Sequence, residues 1–543
     1  MKQTMAKRGG TDKRVTTPSL AIAEPTPGKS RHTAASAAKL LMMSAVLSGG
    51  LALFRIKYVN AIFGAGIQQD AYRAAFKLPD LINYFLIGGA ASISLVTILN
   101  RYREAGDEEG ADHALSVILT TMLVVLGSGV LLAEIFAPEY IWLANKGFRD
   151  DPVRANVCAA LTRMLLPAQL LFFIGSVMSS RLQVRKIFIY QAFTPLIYNG
   201  GIILGAVLLH ERIGVYSLAL GVLGGVFLGS AVLNSLGAFR TGLRFRFIVD
   251  FKDPAFTEWL KLSLPLMIGV SLVMFDGIFL NYFGSIQTGG VTILGVAKDV
   301  FNAPFNVIGP AAGAASLPFF ASLFQQGRVL DFSASVARAV SRLFAVGLLV
   351  SAWMIAVAPW LMDSFRGGRF SRYEAAETRQ LFTILSVTLA LWAVQGIYAR
   401  AFYAASDTRT PAIAGTIVTV VSIPLYAGLF HVMGLRGLAL ASDIGIFAQT
   451  VSLALLLHRK RLVSLADLEF GEIGRAALAA VAAFAAASGA VRLMPPVRTH
   501  GGDLLMVALG SVAWALSGGL ILIATGSKLP AQILRRQGKV RHS

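Results

Sequence analysis

Cysteine is nearly absent from this chain, with Cys158 the only one in 543 residues. That excludes a disulfide within the chain and any cysteine-based metal cluster. Histidine is sparse too, seven scattered residues without ligand spacing. There is no Walker A loop, no H-E-x-x-H and no dinucleotide fingerprint. No nucleophile, metal or nucleotide constellation is visible, so the chain does not read as an enzyme and calls for no cofactor. Charge is also scarce. Asp, Glu, Lys and Arg make up 14% of the residues, against about 25% in a soluble domain. Such a chain lacks the polar surface to face water.

What is present is apolar. Hydrophobic residues make up 55% of the sequence, in recurring runs of about 20 along nearly its whole length. Uninterrupted runs of that length select helices over a barrel, because every backbone polar group inside lipid must be bonded within its own segment. The expectation is an all-α polytopic membrane protein of about fourteen spans. Residues 1–35 are polar and basic and read as a disordered cytoplasmic tail, and 527–543 as a basic one. The formal charge of +20 lies mostly in short loops and the tails, which points to membrane orientation and not to nucleic acid. Basic loops such as "RLQVRK", "RTGLRFRF" and "HRKR" follow even-numbered spans, so both termini are expected in the cytoplasm.

The chain also repeats itself. "AAFKLPDLINYFLIGGAA" at 74–91 is echoed by "VAKDVFNAPFNVIGPAA" at 296–312. Lys77 and Lys298 are 298 − 77 = 221 positions apart, and Ile87 and Ile308 have the same offset. "FGAGIQQ" and "FGSIQTGG" precede the two segments. A six-span unit follows, with two lobes at 36–240 and 256–458 in parallel repeat around a cavity, and two extra helices over 470–526. Pro304, Gly309 and Pro310 predict a bent or broken eighth span.

Ionisable groups inside spans are costly and usually face a cavity. Arg55 and Lys57 lie on span 1, Lys77 on span 2, Arg163 on span 4, Asp276 on span 7, Lys298 and Asp299 on span 8, Arg400 on span 10 and Asp443 on span 12. Arg55, Lys77 and Lys298 come from both lobes, and their convergence makes a cavity suited to phosphate. Asp276, Asp299 and Asp443 are candidate ion ligands or charge partners.

"IFGAGIQQDAYRAAFKLPDL" (62–81), "FTPLIYNGGIILGA" (193–206) and "FYAASDTRTPA" (402–412) resemble signatures of the MurJ (MviN) lipid II flippases. The resemblance implies a V of two six-helix lobes and translocation of undecaprenyl-pyrophosphate-linked peptidoglycan precursor across the bacterial inner membrane by alternating access. It implies no ATP, and leaves coupling to the membrane potential or a monovalent cation open. It adds Asp70 to Arg55, Lys77 and Lys298 as a substrate-binding residue, and proteins of cell-wall synthesis as partners beside the lipid-linked glycan. Several family charges are replaced, by Gly49, Asn83, Tyr84 and Gly88. The family's cavity arginine and glutamate on span 8 fall at Asp299 and Asn302. Alternative functions are a flippase for another polyprenyl-linked oligosaccharide, a cation-coupled exporter of the same superfamily, or a membrane scaffold that does not transport.

Overall fold

The computed structural model describes residues 34–87, 89–267, 272–313, 316–494 and 499–530. The two expected tails lie largely outside that set. The described chain is helical throughout its ordered elements. The first half holds α1 (Ala34–Phe63), α2 (Ile67–Ala75), α3 (Lys77–Ile82), α4 (Gly89–Glu104), α5 (Glu108–Ile135), α6 (Ala137–Ala144), α7 (Pro152–Leu165), α8 (Ala168–Val184), α9 (Ile189–Ile213), α10 (Tyr216–Val226) and α11 (Leu233–Arg240). The second holds α12 (Pro254–Met267), α13 (Leu272–Gly284), α14 (Gly290–Gly313), α15 (Ser316–Gln325), α16 (Val329–Asp363), α17 (Arg372–Ser386), α18 (Leu389–Ala404), α19 (Arg409–Met433) and α20 (Leu435–Arg459). Last come α21 (Phe470–Arg492) and α22 (His500–Ala524), which pack on each other and on α16.

Ten helices among the described residues are long and apolar enough to cross a membrane, eleven if the bent pair α17–α18 is one span. The expected count of fourteen also needs the runs at 74–99, 257–283 and 290–323. These are the segments built from short pieces or loaded with polar residues. The first is divided among α2, α3, a π-helical turn at Asn83–Ile87 and α4. π-turns of this kind recur at functional sites. The third carries Lys298, Asp299 and two asparagines, Asn302 and Asn306, on α14. A span whose polar face lines a cavity loses apolar character for that reason.

α14 is helical through Pro304, Gly309 and Pro310 to Gly313, and α15 takes up the eighth run from Ser316. α12 packs against α4 and α5, and Phe256 and Trp259 join a core with Leu115, Ile118 and Phe173 of the first half. The large aromatic faces of α12 bury there, whereas α13 packs on α19 and α20.

The repeat persists in backbone detail. Gly214 and Gly434 end α9 and α19 with nearly the same dihedrals, φ 57, ψ −135 and φ 59, ψ −136. Both lie in the left-handed half of φ space that glycine enters without steric cost. Lys186 and Ser406 likewise share positive φ ahead of those helices. Within the first half, α9 and α10 meet through glycines. A Cβ on Gly201 would lie 2.7 Å from the Gly225 Cα, and one on Gly205 would lie 2.5 Å from the Ser217 carbonyl oxygen. The backbones therefore touch, as small-residue seams allow in lipid.

Candidate functional site

A cavity of about 520 Å³ lies between the halves, lined by α1, α2, α3, α9, α13, α14 and Trp392 of α18. Four cations line it, Arg55, Arg73, Lys77 and Lys298, with three carboxylates, Asp80, Asp276 and Asp299. Arg55, Lys77, Lys298, Asp276 and Asp299 thus share one space. Lys77 and Lys298 come from equivalent segments of the two repeats, because α2–α3 and α14 follow equivalent turns.

The cations are unequally engaged. Lys298 Nζ lies 2.9 Å from the Asp276 carboxylate and 3.9 Å from the Trp392 ring centroid, so a carboxylate and an aromatic face hold it together. Asp276, 2% exposed, also accepts a hydrogen bond from the Tyr426 hydroxyl at 2.6 Å. Asp443 stands behind this cluster, out of the cavity lining, and accepts from the Thr388 hydroxyl. Lys77 reaches toward α13, its Nζ 3.6 Å from where a Cβ on Gly277 would stand. A larger residue at 277 would crowd the ammonium. Arg55 lies within electrostatic reach of Tyr72 and Tyr198.

Asp70 is corrected. Its side chain is fully buried and turned away from the cavity. It accepts from the amides of Gly289 and Thr292 at 2.6 and 2.8 Å and from the Thr292 hydroxyl at 2.7 Å. A carboxylate that satisfies the free amides of a helix N-terminus has little left for substrate. Asp70 is a fastener between α2 and α14.

It belongs to a larger seal. Glu374 accepts from the Ala65 amide at 3.1 Å, and the Arg369 amide donates to the Ala61 carbonyl at 2.8 Å. Arg154 donates to the Ser285 carbonyl at 3.0 Å, and Asn281 donates to Asn145 at 2.7 Å. All these contacts join the two halves at the end where α1 turns into α2, so the cavity is shut there.

Arg163 bonds the Glu134 carbonyl, Lys57 lies toward Asp503, and Arg400 is not among the lining residues. Two lining residues were not singled out from the sequence, Arg73 and Asp80. Arg73 precedes Lys77 by four positions, the spacing that places two residues on one helix face, and this was the available signal. Its Nη1 donates to Asp299 Oδ2 at 2.9 Å.

The family profile described as "Lipid II flippase MurJ" matches residues 59–512. The chain belongs to the MurJ family. A "Probable lipid II flippase MurJ" from Borreliella burgdorferi is 23% identical over 407 residues, covering 75% of this chain and 79% of the relative. One from Vibrio cholerae is 25% identical over 449 residues, covering 80% and 84%. Among solved structures, "Lipid II flippase MurJ, inward closed conformation" superposes with TM-score 0.71 at 20% identity, covering 90% of this chain and 99% of that one. An inward-facing multidrug resistance MATE family transporter of the MOP superfamily gives TM-score 0.63 at 15% identity, covering 78% and 98%. The fold is that of a multi-pass MurJ-like membrane transporter.

Proposed function

We propose that the chain moves an undecaprenyl-pyrophosphate-linked peptidoglycan precursor, lipid II, from the inner to the outer leaflet of the bacterial cytoplasmic membrane by alternating access. Membership of the MurJ family supports the cargo class, and the observation that carries the reading here is the cavity lined by Arg55, Arg73, Lys77 and Lys298. Arg55, Lys77 and Lys298 bind the pyrophosphate, with Asp276 and Asp299 as their charge partners. Asp443 backs the Lys298–Asp276 pair. The guanidinium of Arg55 grips two phosphate oxygens in parallel, which an ammonium cannot do.

Two rigid lobes, residues 36–240 and 256–458, rock about the cavity. With both termini cytoplasmic, the sealed end faces outward and the cavity receives cargo from the inside. Outward movement of an anion runs down an inside-negative potential, worth about 2.3 kcal/mol per charge per 100 mV. No ATP site is needed for such a step. A scaffold that had abandoned transport would have no use for four costly cations around one cavity.

Complementation tests the reading. Cells depleted of their own lipid II flippase should grow when supplied with this chain and should fail with Arg55→Ala at equal membrane abundance. Equal rescue by both proteins would remove Arg55 from the site, and no rescue by the parent would reject lipid II as the cargo.

A further inference from the structure

Carboxylates in the cavity hold three of its cations in check. Lys298 is taken by Asp276, Asp80 lies within electrostatic reach of Lys77, and Arg73 is taken by Asp299. Of these pairs, Arg73–Asp299 is the one that bridges the halves near the seal, because Arg73 extends from α2 and Asp299 from α14. It is also the less buried of the two bridged pairs, with Asp299 38% exposed and Asp276 2%. A ligand in the cavity therefore reaches Asp299 first.

The arginine has unused capacity. Its Nη1 is bonded to Asp299, while its Nε is buried and has no hydrogen-bond partner among the described residues. A guanidinium offers donors in a fixed fork that matches two oxygens of a phosphate, so a single bond to one carboxylate leaves part of it unsatisfied. The path is also built for it. Gly295 lies one turn before Asp299 on α14, and a Cβ there would stand 2.5 Å from Arg73 Nη1. Any other residue at 295 would push the guanidinium out of its lane.

We propose that Arg73 and Asp299 form a charge-exchange latch, in which the diphosphate of the cargo replaces Asp299 on the Arg73 guanidinium and so removes one of the fasteners between α2 and α14, leaving those of Asp70. This rests on the flippase reading above and names a further cargo-binding residue in the same cavity. No bond is made or broken covalently. The guanidinium exchanges one anion for another and gains the second contact that the carboxylate does not give it. Asp299, once displaced, faces both the phosphate and Asp80, which lies within its electrostatic reach. An attraction across the halves becomes a repulsion across them. Cargo binding and loosening at the sealed end are then one event, and an empty cavity stays latched.

The test uses the full chain in lipid nanodiscs, titrated by calorimetry with farnesyl diphosphate and with farnesol as the control. Asp299→Asn removes the competing carboxylate and should tighten diphosphate binding about tenfold, whereas Arg73→Gln should weaken it by about the same factor. In the double variant the Asp299→Asn gain should vanish, because there is no guanidinium left to release. The exchanged pair Arg73→Asp with Asp299→Arg keeps the bridge, guards against misfolding of the single variants, and should bind within about threefold of the parent. If the parent binds the diphosphate but Asp299→Asn leaves Kd unchanged or raises it, or still tightens binding beside Arg73→Gln, the latch is wrong and the flippase reading stands. If the parent binds farnesyl diphosphate no better than farnesol, the flippase reading fails and takes the latch with it.

Discussion

The Asp70 carboxylate and the Gly289 amide, far apart in the sequence, meet at 2.6 Å at the sealed end of the cavity. The same carboxylate takes two further bonds from Thr292. Hydrogen bonds to a charged group contribute about 1.5–3 kcal/mol, and losing the charge weakens all three together. Asp70→Asn should therefore destabilise the sealed state by about 2 kcal/mol. In a Cys158→Ser background, a cysteine replacing Ala65 should react faster with a membrane-impermeant maleimide when Asp70→Asn is added. An unchanged rate would mean that the other cross-contacts hold the seal without Asp70.

Lys298 answers differently from a simple cargo ligand. Asp276 is buried against it, and Asp443 lies behind. Lys298→Glu would leave buried carboxylates without a cation, which costs about 3–5 kcal/mol when one partner of a buried pair is removed. The expected result is a sharp loss of folded protein in size-exclusion profiles. Lys298→Met combined with Asp276→Asn should restore the fold but not complementation.

Topology is checked at two exposed sites. Tyr373 lies at the start of α17 on the sealed side, and Thr408 in the α18–α19 turn. In the Cys158→Ser background, Tyr373→Cys should be labelled from outside intact cells and Thr408→Cys only after permeabilisation. The reverse pattern would invert the orientation and place the seal on the cytoplasmic side.

The α18–α19 turn also sets an acid limit. Burial alone raises the Asp407 carboxyl, but hydrogen bonds from Lys460 and Thr410 outweigh it and bring the group down to about 2. A carboxyl depressed in the folded state stabilises fully above its unfolded value of about 3.9 and loses that contribution as pH falls toward 2. Asp407→Asn should flatten the acid limb of thermal stability between about pH 4 and pH 2. A melting curve that loses as much stability across that window in the variant as in the parent would contradict this.

Much of the fold was legible because lipid imposes a crude rule, long apolar runs, that needs no knowledge of packing. The rule fails where function intrudes. The runs around Lys77, Asp276 and Lys298 do not appear as long apolar helices among the described residues, and these three residues line the cavity. Arg55, Lys77 and Lys298 were readable as costly charges on repeated segments. Arg73 was signalled only by its four-residue spacing from Lys77, and its pairing with Asp299 of α14 was not legible, because it joins segments far apart in the sequence. The partners of Asp70 were not legible either: a sequence does not tell a carboxylate that meets cargo from one that caps a helix across the molecule. The packing of α12 with the first half was likewise invisible, since Trp259 is equally apolar against either partner.

The glycine seam between α9 and α10 has a mechanical consequence. Backbones that touch along Gly201, Gly205, Gly221 and Gly225 leave no side-chain layer to shear, so this part of the first half turns as one stiff arm. α9 has 25 residues, a lever of roughly 37 Å at 1.5 Å per residue. In the rocking proposed above, such an arm carries a tilt at one end to the other without slip at its seam.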